Sequence, residues 1–188
     1  MQRETDKEVK NAVDRIDKTV TRIDEVVDKM NQITERQHDI ITKEDERRKR
    51  MKSYPLHHII GLLKGAKTKH EYLKQHIECF VNDRSEENRR RILSDCKIYG
   101  PSIYEHDIPF IKDQVMFATP YLNNPWLANK FLDGYILGQL ANIFLAIKNA
   151  EQEDYYYLDR NTETILTEID EKIRDIDKYI NLFEKERD

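Results

Sequence analysis

Two pairs of neighbouring residues carry the side chains that could support metal or phosphoryl-transfer chemistry. The first is His106 and Asp107, which are ligand types that divalent metals take in proteins. A complete site would need further His or Asp ligands from neighbouring helices, and the local sequence Tyr-Glu-His-Asp-Ile-Pro lacks the small apolar residues that would bury a metal. Asp107 instead fits a helix cap ahead of Ile108 and Pro109.

The second pair, His57 and His58, could provide a phosphoacceptor imidazole, which requires a carboxylate beside it. No acidic residue lies between Ser53 and His70, so that carboxylate would have to come from elsewhere in the fold. We interpret one imidazole as exposed and the other as directed toward a core. The sequence therefore predicts a protein that is not an enzyme and takes no metal or cofactor, with an enzyme centred on either pair as the third alternative.

Two clusters of basic side chains could contact the phosphates of a nucleic acid. Acidic residues 44–46 adjoin the first cluster, the formal net charge of the chain is -4, and no recognition helix is recognisable. A nucleic-acid-associated regulator is therefore the second alternative. The clusters consist of Arg47, Arg48, Lys49, Arg50 and Lys52, and of Arg89, Arg90 and Arg91.

Six aromatic side chains fall within residues 99–126, a stretch that also contains four prolines. Such aromatics can close the end of a helical core, or they can form a binding surface, because Tyr and Trp offer a large contact area at a low entropic cost. We predict that this stretch binds a protein partner, whose identity the sequence does not reveal. The residues are Tyr99, Tyr104, Phe110, Phe117, Tyr121 and Trp126.

The elements that would position these groups begin with a heptad repeat near the start of the chain. Its apolar residues recur with alternating spacings of four and three, and no Gly or Pro interrupts residues 1–54. The pattern predicts a helix over residues 9–41, about 50 Å long at 1.5 Å per residue. The repeat consists of Val9, Val13, Ile16, Val20, Ile23, Val27 and Met30.

The apolar face of this helix is wider than a two-stranded coiled coil requires. With Val13 at heptad position a and Ile16 at position d, most residues at both positions are β-branched, which favours trimers and tetramers over dimers. We therefore predict a homo-oligomer, with a trimer or tetramer slightly favoured. Position g adds a third column of apolar or small residues, namely Ala12, Thr19, Val26, Ile33 and Ile40.

The middle of the chain is predicted to form a small helical domain. Pro55 marks its start, since the residue before a proline disfavours helix. The expected elements are a helix over 68–81, a helix over 85–99, short helical turns and ordered loop over 100–125 and a helix over 125–150. The expected core contains Trp126, Phe131, Ile136, Leu140 and Phe144.

A second heptad pattern occupies the end of the chain, and Thr162 or Thr164 would cap its helix. The predicted organisation is an N-terminal coiled-coil or bundle helix (1–53), a helical domain (54–160) and a C-terminal amphipathic helix (161–188) that packs on either. Whether the terminal helices pair within one chain or between chains stays open. The second pattern consists of Leu166, Ile169, Ile173, Ile176, Ile180 and Phe183.

Composition agrees with an all-α protein, because charged residues make up 36% and hydrophobic residues 38%, with only 5 Gly and 5 Pro. Cys79 and Cys96 have no metal-binding spacing, and no apolar leader or membrane span is apparent. We expect a cytoplasmic protein that does not bind membranes. The leading functional prediction is a helical adaptor, regulator or structural component that assembles through its first helix and binds a partner through its middle domain.

Overall fold

The computed structural model describes the backbone of residues 2–132 and 135–187, and the side chains of the same ranges except 2–9, 12, 135 and 136. The described backbone is almost entirely helical and contains no strand, so the predicted all-α class is confirmed. The chain forms two compact units, residues 1–48 (unit 1) and residues 49–188 (unit 2).

The helix boundary predicted at Pro55 is wrong, because helix α1 spans Gln2–Asn82 and includes that proline. A proline inside a helix removes one backbone hydrogen bond and costs about 3 kcal/mol. Pro55 is buried, and the neighbouring side chains of Leu56 and Ile59 are completely buried. Each such side chain contributes about 1.5–3 kcal/mol, so packing outweighs the local penalty. The start predicted at Thr68 is also wrong, since its hydroxyl donates to a carbonyl one turn earlier within α1.

Helix α2 spans Glu86–Ser102 and begins as the sequence predicts. The side chain of Ser85 accepts a hydrogen bond from the backbone N–H of Asn88 at 3.4 Å, which satisfies one unpaired donor of the first turn. The carboxylates of Glu86 and Glu87 also lie in this turn, where the helix dipole favours negative charge. The N-terminal cap of α2 is therefore confirmed.

Residues 103–121 are helical, so the predicted short helical turns are present, whereas the ordered loop predicted between them is wrong. A π-helical turn spans Ile103–Asp107, helix α3 spans Ile108–Ala118, and a 3-10 turn spans Thr119–Tyr121. Pro109 and Pro120 lie in the first turns of their elements, where a missing N–H costs no intrahelical bond. These prolines therefore start helical segments instead of preventing them.

The helix predicted over 125–150 starts correctly at Pro125 but does not run without a break. Leu140 and Ala141 lie in a turn, and both are buried. An uninterrupted apolar stretch does not distinguish one buried helix from several short buried ones. The observed helices are α4 (Pro125–Leu132), α5 (Tyr135–Gln139) and α6 (Asn142–Glu153).

Helix α7 spans Tyr157–Arg187, so it begins earlier than the predicted caps at Thr162 or Thr164. It packs antiparallel against the part of α1 that belongs to unit 2, because residues later in α1 pair with residues earlier in α7. The distances between the ammonium nitrogen and the nearest carboxylate oxygen are 2.8 Å for Lys64–Glu184, 2.8 Å for Lys67–Asp177 and 2.7 Å for Lys74–Asp170.

The core of unit 2 contains residues from α1, α2, α3 and α7 as well as from the three helices between α3 and α7. Phe131, Leu140 and Phe144 are buried as predicted. The prediction for Trp126 is wrong, because its side chain is 62% exposed in the first turn of α4. The side chain of Ile136 lies outside the described residues.

Candidate interaction surfaces

The apolar stripe of unit 1 is exposed along its whole described length. Every described side chain between residues 10 and 50 is exposed, although many are large and apolar. The side chains of Val9 and Ala12, which the heptad prediction includes, lie outside the described residues. The stripe members are between 47% and 66% exposed: Val13, Ile16, Val20, Ile23, Val26, Val27, Met30, Ile33, Ile40 and Ile41.

Two threonines lie between the stripe members, Thr19 at heptad position g and Thr34 at position a, and both have hydrogen-bond partners. The hydroxyl of Thr19 donates to the carbonyl of Arg15 at 2.8 Å, and that of Thr34 donates to the carbonyl of Met30 at 2.9 Å. Ser and Thr side chains commonly make this bond to the preceding turn of a helix. The polar atoms of the stripe are thus partly satisfied by the helix itself.

The predicted partner-binding aromatics divide into exposed and half-buried groups. Tyr104, Phe110, Phe117 and Trp126 are exposed, whereas Tyr99 and Tyr121 are partly buried. Tyr99 packs against the buried ring of Phe144, with ring centroids 6.2 Å apart. Tyr99 therefore belongs to the core of unit 2, and the exposed members remain accessible to a partner.

Phe110 and Phe117 lie seven residues apart on α3, so they share one face of that helix. The surface continues from Phe110 to α1. The centroid of the His58 ring lies 6.0 Å from the centroid of the Phe110 ring and 4.5 Å from that of the exposed Tyr54 ring. At the other end, Phe117 lies 6.3 Å from Tyr121. We call these five residues the aromatic surface. Tyr54 was not among the predicted residues, although its spacing of four from His58 on a helix indicates that the two side chains are neighbours.

Arg89 is not available for contact with phosphates, because its guanidinium is buried among carboxylates. It donates to Glu151 at 2.9 Å and to Asp159, and also to the backbone carbonyl of Tyr155. Its carbon Cζ lies 4.2 Å from the centroid of the Tyr155 ring and 5.2 Å from that of Phe80. Arg89 thereby joins α2 to α6 and α7 inside unit 2.

The other basic residues are mostly on the surface. Arg90 and Arg91 are exposed and pair with carboxylates one turn earlier, Glu86 at 3.4 Å and Glu87 at 3.0 Å. Residues 47–50 are all exposed, and so are the acidic residues 44–46 before them. Lys52 is buried. Residues 47–50 therefore form a short exposed basic run next to three exposed acidic residues.

Among the described residues, neither the His106–Asp107 pair nor the His57–His58 pair belongs to a group of ligands that could hold a metal ion. His106 is exposed, and the carboxylate of Asp107 accepts a hydrogen bond from the ammonium of Lys69 at 2.6 Å, without capping α3. His57 is exposed and His58 is half-buried. Among the described side chains, no group of three or more His, Cys, Asp or Glu residues could hold a metal ion.

Two further histidines have specific environments that the sequence did not indicate. The ring of His70 is buried against Phe144, and its Nδ1 lies 2.8 Å from the carbonyl oxygen of Ala66. Its Nε2 has no hydrogen-bond partner among the described residues. Burial lowers the pKa of His70 to about 4, more than the bond to Ala66 raises it. His76 Nδ1 lies 2.6 Å from a carboxylate oxygen of Asp95. Both interactions stabilise packing within unit 2.

Comparisons with known proteins give no assignment for these surfaces. No family model, curated protein or solved structure matches the chain. None of the helices in the described part of the chain contains a segment long and apolar enough to cross a bilayer.

Proposed function

We propose that this protein is a self-assembling helical interaction protein, which forms oligomers through the stripe of unit 1 and binds a protein partner through unit 2. The exposed stripe carries the proposal, because ten large apolar side chains lie on one face of a helix. Burying a Val or Ile side chain contributes about 1.5–3 kcal/mol, and contiguous apolar patches of this kind mark interaction sites.

The number of copies follows from the width of the stripe. Positions a, d and g are all mostly apolar, so a single neighbour would leave one column in water. β-Branched residues at both a and d disfavour dimers. Three or four copies, each contacting two neighbours, would cover the whole face.

The assembly proposal is tested by measuring the mass of the full chain in solution by light scattering. Replacing both Ile16 and Ile23 with Asp should produce monomers, because each copy would then place two charges in an apolar interface. The matched control replaces Asn11 and Gln32 with Asp, which adds the same charge at exposed positions on the side of the helix opposite the stripe. A monomeric unmodified chain at micromolar concentration would contradict the proposal.

The partner proposal depends on the aromatic surface, which combines large rings with exposure. Tyr, Trp and Phe side chains are enriched at the cores of protein interfaces relative to the rest of the surface. Replacing Phe110 and Phe117 with Ala should reduce capture of partner proteins from a native extract at least tenfold, with the oligomer mass unchanged. Tyr156→Ala is the control, since this ring is exposed in the turn before α7. Equal recovery by both variants would show that the aromatic surface is not the binding site.

A further inference from the structure

The stripe of unit 1 is bordered by charges of opposite sign on its two sides. Successive residues of an α-helix are about 100° apart, so residues at heptad position c adjoin column g, and those at positions e and b adjoin column a. The side next to g carries a basic row: Arg15, Arg22, Lys29, Arg36 and Lys43. The side next to a carries an acidic group: Asp14, Asp17, Asp24, Asp28 and Glu35.

These charged side chains are all exposed, as is the stripe between them. They are therefore placed to meet the flanks of whatever covers the stripe. Position c is basic in five successive heptads, from Arg15 to Lys43. Positions e and b contain no basic residue between Asp14 and Glu35. An occupant must accordingly present negative charge on one side and positive charge on the other.

A second copy of the same segment meets this requirement in only one direction. When two identical helices pack parallel, opposite flanks face each other, so the basic row of one copy meets the acidic group of the next. When they pack antiparallel, like flanks face each other, which places basic beside basic and acidic beside acidic. Like charges on facing flanks destabilise the pairing of two helices, and opposite charges stabilise it.

We propose that the stripe is covered by further copies of this same segment, packed parallel and in register in a closed ring of three or four. This proposal rests on the proposed self-assembly and adds its direction. Columns a and d of one copy pack on columns d and g of the next, which brings the acidic group and the basic row together around the ring. Gln37 supports the register, because a shift by one heptad would place its amide against the apolar Met30.

Disulfide formation between single cysteines tests the direction in the full chain. The background carries Cys79→Ser, because Cys79 is exposed, whereas Cys96 is buried and retained. Val13→Cys and Ile41→Cys place a thiol at position a near opposite ends, about 42 Å apart at 1.5 Å per residue. A disulfide requires Cα atoms within about 7 Å. Val27→Cys, midway between them, should cross-link with itself in either direction and serves as the positive control.

In a parallel assembly, Val13→Cys and Ile41→Cys each form disulfides with their own kind, and a mixture of the two forms none between residues 13 and 41. Disulfides between 13 and 41 alone would overturn the parallel direction while leaving self-assembly intact. An oligomeric mass without any disulfide, including at residue 27, would place the interface elsewhere and also overturn the proposal. A monomeric mass without disulfides would overturn the proposed function itself.

Reversing one charge provides a second measurement whose sign depends on direction. Arg22→Glu should weaken a parallel assembly about tenfold in dissociation constant, because each interface would gain a pair of like charges. The same substitution would tighten an antiparallel assembly, since it would relieve contact between two basic rows. Lys18→Glu changes the net charge equally at an exposed position f, on the side opposite the stripe, and should alter association less than twofold. Tighter association of Arg22→Glu, or equal effects of both variants, would contradict the parallel arrangement.

Discussion

The two heptad-patterned segments of this chain have opposite environments. In α7, Ile169, Ile176 and Phe183 are buried within unit 2. In unit 1, the corresponding apolar residues, such as Ile16 and Ile23, are about half exposed or more. The two segments have the same periodicity, so the pattern determines which face of a helix is apolar but not what covers it.

The physical difference lies in what each apolar face meets within the chain. The face of α7 packs on residues of α1 in unit 2 and is bordered by ion pairs such as Lys74–Asp170. The described side chains of the unit 1 stripe are exposed, and the stripe is bordered by the basic row and the acidic group. Substitutions inside unit 2 should therefore lower the free energy of unfolding without changing the oligomer mass, whereas stripe substitutions should change the mass.

The largest such loss of stability is expected for Arg89→Met. This change leaves the buried carboxylate of Glu151 without its cation and removes one cation from Asp159, which also pairs with Arg84 at 3.4 Å. Removing one partner of a buried ion pair costs about 3–5 kcal/mol. Arg90→Met is the control, because Arg90 is exposed and its ion pair with Glu86 contributes less than about 1 kcal/mol. Chemical denaturation of both variants measures the difference. Similar losses would show that the Arg89 cluster does not stabilise unit 2.

An intermediate loss of stability is expected when the pH is lowered, because His70 becomes protonated in the unfolded chain. Its pKa is about 4 in the folded protein and 6.5 in the unfolded chain, so the unfolded state binds the proton more readily. The contribution of neutral His70 to the free energy of unfolding is complete above pH 6.5 and decreases as the pH falls toward 4. Below pH 4 no further loss occurs, because His70 is then protonated in both states. The loss is about 3 kcal/mol.

His70→Leu should remove this part of the acid sensitivity, because the variant has no imidazole to protonate. The free energy of unfolding is measured from pH 8 to pH 4 for the wild type and for His70→Leu. The difference between the two separates the contribution of His70 from those of other titrating groups. His57→Gln, at an exposed position, should follow the wild-type curve. A constant difference between wild type and His70→Leu across this range would contradict the prediction.

The smallest effect is expected at Gly100, where α2 approaches α6 closely. A Cβ atom there would lie 3.0 Å from Cβ of Phe144 and 3.3 Å from Cδ2 of Leu145, so Gly100→Ala should cost about 1–3 kcal/mol. Gly65→Ala is the matched control, since nothing lies within 4 Å and alanine favours helix by up to about 1 kcal/mol. The midpoint temperature of thermal unfolding should decrease for Gly100→Ala and increase for Gly65→Ala. A stabilised Gly100→Ala would mean that the two helices separate easily.

Local signals in the sequence predicted the helical class, the cap at Ser85 and the helix start at Pro125, because these depend on neighbouring residues alone. The helix through Pro55 could not be predicted in this way, since packing of distant residues against Leu56 outweighs the proline. Trp126 shows the same limit, because a large apolar residue in a helical pattern does not reveal whether a neighbour covers it.

The candidate surfaces were predicted in part. The stripe residues follow directly from heptad spacing, and their exposure required the structure. Within the aromatic stretch, sequence composition does not separate Tyr99, which packs in the core, from Phe110, which is exposed. The contact between α1 and α3 that adds Tyr54 and His58 depends on tertiary structure, and no sequence pattern connects residues more than 50 positions apart.

The internal hydrogen bonds of Thr19 and Thr34 have a consequence for how copies of unit 1 can meet. Dehydration of a hydroxyl is costly only when it leaves the group without a partner. Because each hydroxyl already donates to the preceding turn, it can enter an apolar interface without any acceptor from a neighbouring chain. The backbone carbonyls of the helix thus replace water as partners of these hydroxyls, and the facing surface of a neighbouring copy does not need a polar group opposite either threonine.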